Sequence, residues 1–538
     1  MSEQGHGGRA ATMALKALGV DHIFTLTGGH IFPIFDGAQQ DGIRLVDTRH
    51  EQSATFAAEG WARLTRSLGV AAITAGPGVT NAVSALAQAK FNGAPLLALA
   101  GRAPSFRWGQ GSLQEIDHVP FVDPLAPART VQDTGSVAKE VLAAARDALT
   151  PPRGPRFLDF PLDVLFNNTD LDVPQEVGLD PGPRADATEI EKVAGLLAKA
   201  ERPIVVAGSA VWLEGADEVL RDLAERLQIP VFMNGQGRGC LPADNHLAFA
   251  RSRSAAFKQA DLVIVAGTPL DFRLGFGQSF ATGAHLVHID SNGPAAHVQL
   301  AAGFESSTKS VFSALDEAAR TAADHGEWIE QLRGIEAEKK QSAEAELRSD
   351  AAPIHPMRIY GELVPLLDRN AIVIGDGGDF VSYAGREVPS YEPGCWLDPG
   401  PFGCLGVGPG YGMAARLAHP ERQVVVLFGD GAIGFSGMEL ETLVRLDLPV
   451  VCVVGNNGIW GLEKHPMRAL YGYDVVAELR RGIRYDLLMK DLGGHGELVE
   501  KPDEVGPAIK RAFDSGRPAV VNVLTDPDIA YPRSANLA

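Results

Sequence analysis

The sequence predicts an α/β protein made of three open, mostly parallel sheet domains, and three observations carry that expectation. Short β-branched runs alternate with Ala/Leu-rich helical stretches along nearly the whole chain, the pattern of parallel sheet covered by helices. At 538 residues the chain is too long for one core. Its runs also fall into three blocks of similar size and texture, with no short-period repeat. We place the domains at residues 1–172, 185–345 and 355–538.

Taken in order, block one contributes the strand candidates HIFTLTG, IRLVDTRHE, GVAAITAGPG, APLLALAG and PRFLDFPLD. A Pro/Asp/Gly-rich stretch from Val173 to Glu189 reads as a linker. Block two follows with RPIVVAGSA, IPVFMNGQG, ADLVIVAGTPLD and AHLVHIDSN. The mixed-charge stretch GEWIEQLRGIEAEKKQSAEAELRSD reads as a helix with a solvated face. Block three runs through NAIVIGDGGDF, RQVVVLFGDGAIG, LPVVCVVGNN and PAVVNVLTD.

Composition narrows the function. An apolar content of 45% supports ordinary cores, and a net charge of −19 argues against general nucleic-acid or anionic-membrane binding. The four cysteines stand far apart and fit small buried hydrophobes in a reducing compartment. The N-terminus lacks the charged-then-apolar design of a signal, and no apolar run reaches membrane-spanning length, so a cytoplasmic location is expected. No G-x-G-x-x-G opens a nucleotide domain, which disfavours a dehydrogenase, and the 14 histidines show no zinc-ligand pattern.

The informative stretch is GDGAIGFSGMELETLVRLDLPVVCVVGNNGIWGLEKH, Gly429 to His465. Glycines flanking Asp430 let backbone approach a ligand, and the helix start beyond them offers free N–H groups to phosphate. A second apolar strand then ends in Asn456-Asn457. If the two strands are neighbours, the Asp430 carboxylate and the Asn457 side-chain oxygen reach one point, a hard-oxygen site suited to Mg²⁺ beside a diphosphate. The same triplet in IGDGGDF, Ile374 to Phe380, has no matching Asn pair and reads as a decoy.

GDG followed by NN, 27 positions from Asp430 to Asn457, resembles the signature of thiamine diphosphate (ThDP) enzymes. The resemblance implies that Asp430, Asn457 and the Ile459 carbonyl hold the metal while Gly431 and Ala432 touch the diphosphate. Block one resembles the pyrimidine-binding domain of the acetolactate-synthase-like members. There a Glu after a strand protonates the aminopyrimidine ring, and Glu51 matches it; Glu59, two turns on, reads as structural. The resemblance also implies that the motifs TGGH, AGPG, DGGDF and PFGCLG bring Gly29, Pro77, Gly378, Asp379, Gly403 and Leu405 to the cofactor, Leu405 as the apolar pillar that bends it, while His30 of TGGH stands near the substrate as a catalytic or a structural residue. Family architecture further implies a homodimer or homotetramer with sites between subunits, and a non-catalytic middle domain in which GTPLDFRLGFG resembles a stretch that contacts FAD or ADP.

Residues around the reacting carbon choose the chemistry. Glu463 stands where pyruvate decarboxylase carries a catalytic Glu, and Lys464-His465-Pro466 replaces the synthases' Gln-Trp element. GSLQEIDHV resembles the synthases' Phe-Gln-Glu segment, with Gln114 donating to substrate and Leu113 and Leu462 bounding the acyl pocket. Several stretches are closer to the 2-hydroxyacyl-CoA lyase branch, in which Glu463 would shuttle the 2-hydroxyl proton. The leading expectation is therefore a C–C lyase releasing formyl-CoA, with an acetolactate synthase acting on 2-keto acids as the alternative. A non-catalytic nucleotide-binding regulator is a further alternative, disfavoured by Glu51, Asp430 and Asn457. In the tail DPDIAYPRSANLA, Arg533 is expected near the CoA phosphates, because an acidic protein needs local cations for an anionic substrate.

Overall fold

The computed structural model describes residues 4–171, 178 and 182–532. Three six-stranded, all-parallel sheets account for the α/β fold, alongside a short antiparallel pair, Gln4–His6 with Asn168–Asp170. Strands buried on both faces need continuous apolar runs, and Gly69–Ile73, Pro203–Ala207 and Leu262–Ala266 are each buried throughout.

The chain divides into two compact units. The first comprises Met1–Pro181, Pro399–Pro420 and Ser436–Leu448. Its sheet runs Arg44–Asp47, His22–Thr25, Gly69–Ile73, Leu96–Arg102, Arg156–Pro161, Ala128–Thr130. Against it lies helix Glu51–Thr65, capped by the His50 ring, which accepts the Gln52 N–H. This helix crosses helix Gly408–Ala418 closely because each gives up a side chain at the contact. A Cβ on Gly60 would stand 2.9 Å from the Tyr411 ring, and one on Gly410 would stand 2.9 Å from Phe56 Cβ.

Beneath that crossing is a buried polar cluster. Glu59 accepts from Asn92 (2.7 Å) and Gln88 (3.2 Å) and lies 3.5 Å from the Arg63 guanidinium. Arg63 and Gln88 both donate to the Tyr411 hydroxyl, at 3.0 and 2.9 Å. Burial pushes the Glu59 carboxyl up, against the pull of Arg63. The expected structural role of Glu59 thus has a form: it compensates a guanidinium that is 1% exposed. The cluster reaches the Leu405 segment through Asn92, which donates to the Pro399 carbonyl (3.3 Å), and through the Cys404 N–H, which donates to Gln88 Oε1 (3.0 Å).

The second unit comprises Gly182–Asp398, Glu421–Phe435 and Pro449–Ala538. Its first sheet runs Ala248–Phe249, Val231–Met233, Pro203–Ala207, Leu262–Ala266, His285–Ile289, Ala302–Phe304. Its second runs Trp396–Leu397, Ile372–Asp376, Val424–Gly429, Val451–Asn456, Ala519–Leu524, His495–Val499. Arg238 ties the two together, stacking on Trp396 and donating to the Gly385 and Val388 carbonyls at the end of helix Gly378–Glu387. The charged stretch forms helix Gly326–Leu347 and buries only Trp328, Leu332 and Ala343. Among the described residues no helix is long and apolar enough to cross a membrane.

Glu59→Gln leaves Arg63 buried without the carboxylate beside it, so we expect a loss of about 3–5 kcal/mol in the first unit's stability at neutral pH. Urea unfolding followed through that unit measures it; a change below about 1 kcal/mol contradicts the compensating role.

Candidate active site

In the first unit, strand Arg44–Asp47 hands the chain to helix Glu51–Thr65, so Glu51 opens a helix where the dipole favours a carboxylate. Glu51 is 6% exposed, and its Oε2 accepts from Asn81 Nδ2 at 2.9 Å. Strand Gly69–Ile73 leads into helix Pro77–Phe91, whose first turn lies against the same carboxylate: a Cβ on Gly78 would stand 3.4 Å from Glu51 Oε1. His30 is buried nearby, its Nδ1 3.4 Å from Thr74 Oγ1. Burial lowers its pKa, opposed by a backbone bond to Leu113. Gly29 faces open space. Leu113 is 77% exposed, and Gln114 takes a left-handed backbone, φ 58°, over Gly76. Glu51, Pro77, Gly29, His30, Leu113 and Gln114 therefore gather at one edge of the first sheet. On the Pro399–Pro420 segment of the same unit, Gly403 has φ 75° with open space around it and Leu405 is half-buried.

In the second unit, strands Val424–Gly429 and Val451–Asn456 are direct parallel neighbours, with Gly429 opposite Gly455. Glycine is required at 455, because a Cβ there would run into the Phe380 ring. Asp430 Oδ2 accepts the Gly458 N–H at 2.8 Å, and Asn457 Oδ1 accepts the Ile459 N–H at 3.1 Å. Gly431 lies under the Trp460 indole, 2.7 Å from its Cη2 if a Cβ were added, while Ala432 and Ile459 are buried.

The IGDGGDF triplet lies beside the first GDG rather than apart from it. Strand Ile372–Asp376 pairs with Val424–Gly429, so both turns end at one sheet edge. Gly378 is left-handed, φ 59°, and Asp379 is buried. A Cβ on Gly461 would stand 2.7 Å from Asp379 Oδ2 and 3.7 Å from Asn457 Nδ2. Burial, with Asp379 adding like charge, pushes the Asp430 carboxyl up to about 7. Asp430, Asp379 and the Asn457 side chain thus lie at one sheet edge, and carboxylate and amide oxygens are the donor type that suits Mg²⁺. Among the described residues no three His, Cys, Asp or Glu side chains cluster as a metal site by themselves.

Glu463 is exposed in the first turn of helix Gly461–Tyr471, Leu462 is half-buried, and Lys464 is buried against Glu478 and Asp474. Arg533 lies outside the described residues. Sequence reasoning missed a strap that folds back over the Asn pair. Trp460 N–H donates to Ala477 O (2.9 Å), Leu479 N–H to Gly458 O (2.8 Å) and Tyr485 OH to Asp430 O (3.2 Å). It also missed Asn81 and His118, since one amide or one imidazole in a helical or loop stretch carries no pattern.

Neighbouring parallel strands that end in a buried carboxylate, an Asn and glycines give the second unit a sheet edge suited to a diphosphate cofactor. Comparison with known proteins makes the class specific. The thiamine pyrophosphate enzyme models match as the N-terminal TPP-binding domain over residues 6–121, the central domain over 190–303 and the C-terminal TPP-binding domain over 376–523. "Acetolactate synthase large subunit IlvG" of Mycobacterium tuberculosis and "Probable acetolactate synthase" of Mycobacterium bovis are each 55% identical over 540 residues, 99% of this chain and 98% of the relative. Human "2-hydroxyacyl-CoA lyase 2" is 34% identical over 579 residues, 96% of this chain and 90% of the relative. The chain belongs to the thiamine pyrophosphate enzyme family, in its acetolactate-synthase-like group.

Three outcomes follow from this geometry. Glu51→Gln should keep fold and ThDP affinity yet lose about 10²–10⁴-fold in rate; near-wild-type turnover would remove Glu51 from its role. Asp430→Ala should abolish Mg²⁺-dependent ThDP binding in a calorimetric titration, and normal titration would refute the metal assignment. The folded pKa of His30 lies below the usual 6.5, so the unfolded chain takes up the extra proton first. Its stabilisation is full above about pH 6.5 and falls as pH drops toward the lowered value. Melting of His30→Gln against pH should lack that acid slope.

Proposed function

We propose that this chain is a ThDP- and Mg²⁺-dependent carboligase of the acetolactate synthase type, releasing CO₂ from one 2-keto acid and joining the remainder to a second. The observation that carries this reading is 55% identity across 99% of the chain to two mycobacterial proteins bearing that name. It reverses the order expected from the motifs, because the lyase relatives cited above stand near 34%. When bound, ThDP supplies an electron sink for the bond at a carbonyl carbon. Glu51, held by Asn81 and largely buried, would share a proton with the aminopyrimidine ring of the bound cofactor. Asp430, Asn457 and the Ile459 carbonyl would hold Mg²⁺, with Asp379 adding negative charge beside Asp430, and Gly431 and Ala432 would admit the diphosphate. Gln114 orients the substrate, and Leu113 and Leu462 bound its apolar end. The smallest active form is a homodimer in which Glu51 of one subunit serves the diphosphate of the other.

Glu463 favours a second reading, 2-hydroxyacyl-CoA lyase. It opens the helix directly after the Asn-pair loop and is exposed, as a shuttle for the substrate hydroxyl proton must be. For the flavin or ADP expected in the central domain, a cavity of about 240 Å³ lined by Asn234, Arg238 and Arg253 offers polar and cationic contacts, and Arg238 also borders a larger one of about 640 Å³. An absorption spectrum of the purified protein detects flavin directly.

Product analysis separates the readings. With pyruvate alone we expect acetolactate, and Glu463→Gln should leave that rate within about threefold, because decarboxylation needs no base on a substrate hydroxyl. No acetolactate, together with cleavage of a short 2-hydroxyacyl-CoA that Glu463→Gln slows, would replace the synthase reading by the lyase.

A further inference from the structure

The buried pair His118 and Asp159 has no part in the chemistry above, yet it touches both segments that carry it. Both side chains are fully buried. His118 Nδ1 lies 2.9 Å from Asp159 Oδ2, and His118 Nε2 accepts the Gly76 N–H at 3.0 Å. A carboxylate only accepts, so Asp159 fixes the proton on Nδ1 and leaves the Nε2 lone pair for Gly76. Arg102 Nη1 donates to the same Asp159 oxygen at 3.0 Å and offsets its charge.

Gly76 precedes helix Pro77–Phe91 and has no side-chain cap of its own, so the imidazole occupies the point where the cofactor loop Ala75–Gly78 begins. His118 closes the other segment, Gly111–His118, which carries Leu113 and Gln114. Contacts hold that segment and the residues leading into it at several points. Arg102 stacks on Trp108 with its guanidinium carbon 3.9 Å from the ring centroid, and it donates to Asp117 at 2.9 Å. Glu115 accepts the Gly109 and Ser112 N–H groups at 2.9 and 3.2 Å. Within it Gln114 holds its left-handed backbone, a conformation that costs about 1–3 kcal/mol and persists only where the surroundings impose it. A Cβ on Gly76 would stand 2.8 Å from Gln114 Cβ, so the strained residue sits directly on the loop that His118 holds. Folding alone gives no reason to strain a glutamine whose neighbour Leu113 is 77% exposed.

We infer that His118 and Asp159 are positioning residues that clamp the segment Gly111–His118 onto the cofactor loop, setting where Gln114 meets the substrate. The clamp rests on the proposed role of Gln114 at the substrate, and its own geometry is testable without that role. His118→Phe keeps a ring but removes both hydrogen bonds, whereas His118→Gln can still offer a side-chain oxygen to the Gly76 N–H.

The test has two readouts. In the chain without cofactor, hydrogen exchange followed by mass spectrometry should rise in His118→Phe over residues 75–78 and 108–118, with strand Gly69–Ile73 still protected. In the loaded enzyme, kcat/KM should fall about 10²-fold through KM, the scale of a misplacement of about 1 Å. ThDP affinity and exchange of its C2 hydrogen should stay within about twofold, and His118→Gln should recover most of the loss. Unchanged exchange over 75–78 and 108–118 would overturn the clamp. So would loss of protection through the whole strand, an equal fall in cofactor affinity, or a Gln variant as impaired as Phe. Failure of the wild-type chain to turn over any keto acid or acyl-CoA with ThDP would defeat the functional reading, and exchange in the cofactor-free chain would still decide the clamp.

Discussion

A carboxylate buried at the end of a parallel strand is costly unless a cation shares its site, and the second unit is organised around that constraint at Asp430. Every feature at that edge keeps the carboxylate in place. The Gly458 N–H holds one oxygen, the missing side chain of Gly455 admits Phe380, and the strap through Ala477, Leu479 and Tyr485 closes over the loop. Burial and the neighbouring Asp379 push the carboxyl up to about 7, a demand that the cation proposed above would meet.

The first unit meets a different demand, which is close approach. Gly76, Gly78 and Gly60 each remove a side chain where backbone, carboxylate or a neighbouring helix must come near. Gln114 packs over Gly76, just before helix Pro77–Phe91, whereas Glu51 is held further on, by Asn81 within that helix. The Glu59–Arg63 cluster reaches the segment bearing Leu405, since Gln88 and Asn92 bond both to Glu59 and to residues 399–404.

Much of this was legible in the sequence, for physical reasons. Central strands such as Val424–Gly429 and Leu262–Ala266 are buried on both faces and spell themselves as apolar runs, and GDG and NN fall at their ends. Five of the six edge strands of the three parallel sheets were not legible, Arg44–Asp47 being the exception. Ala128–Thr130, Ala248–Phe249, Ala302–Phe304, Trp396–Leu397 and His495–Val499 each pair on one side only, so short or partly polar stretches suffice. The position of the second GDG beside the first was not legible, because adjacency of strands Ile372–Asp376 and Val424–Gly429 is a topological fact with no local signature. The strap over Gly458 and the dyad at Gly76 depend on contacts distant in sequence. Sequence resemblance also ranked lyase above synthase from local motifs, whereas identity over the full chain ranks them the other way.

The central claim is that Asp430 and Asn457 share one metal ion at the ends of neighbouring strands. Crystals grown with ThDP and Mn²⁺ in place of Mg²⁺ test it through anomalous scattering. The account predicts a single anomalous peak per chain in the second unit, about 2 Å from an Asp430 carboxylate oxygen and from Asn457 Oδ1. A peak bound elsewhere, or ThDP in place with no metal at Asp430, would contradict it.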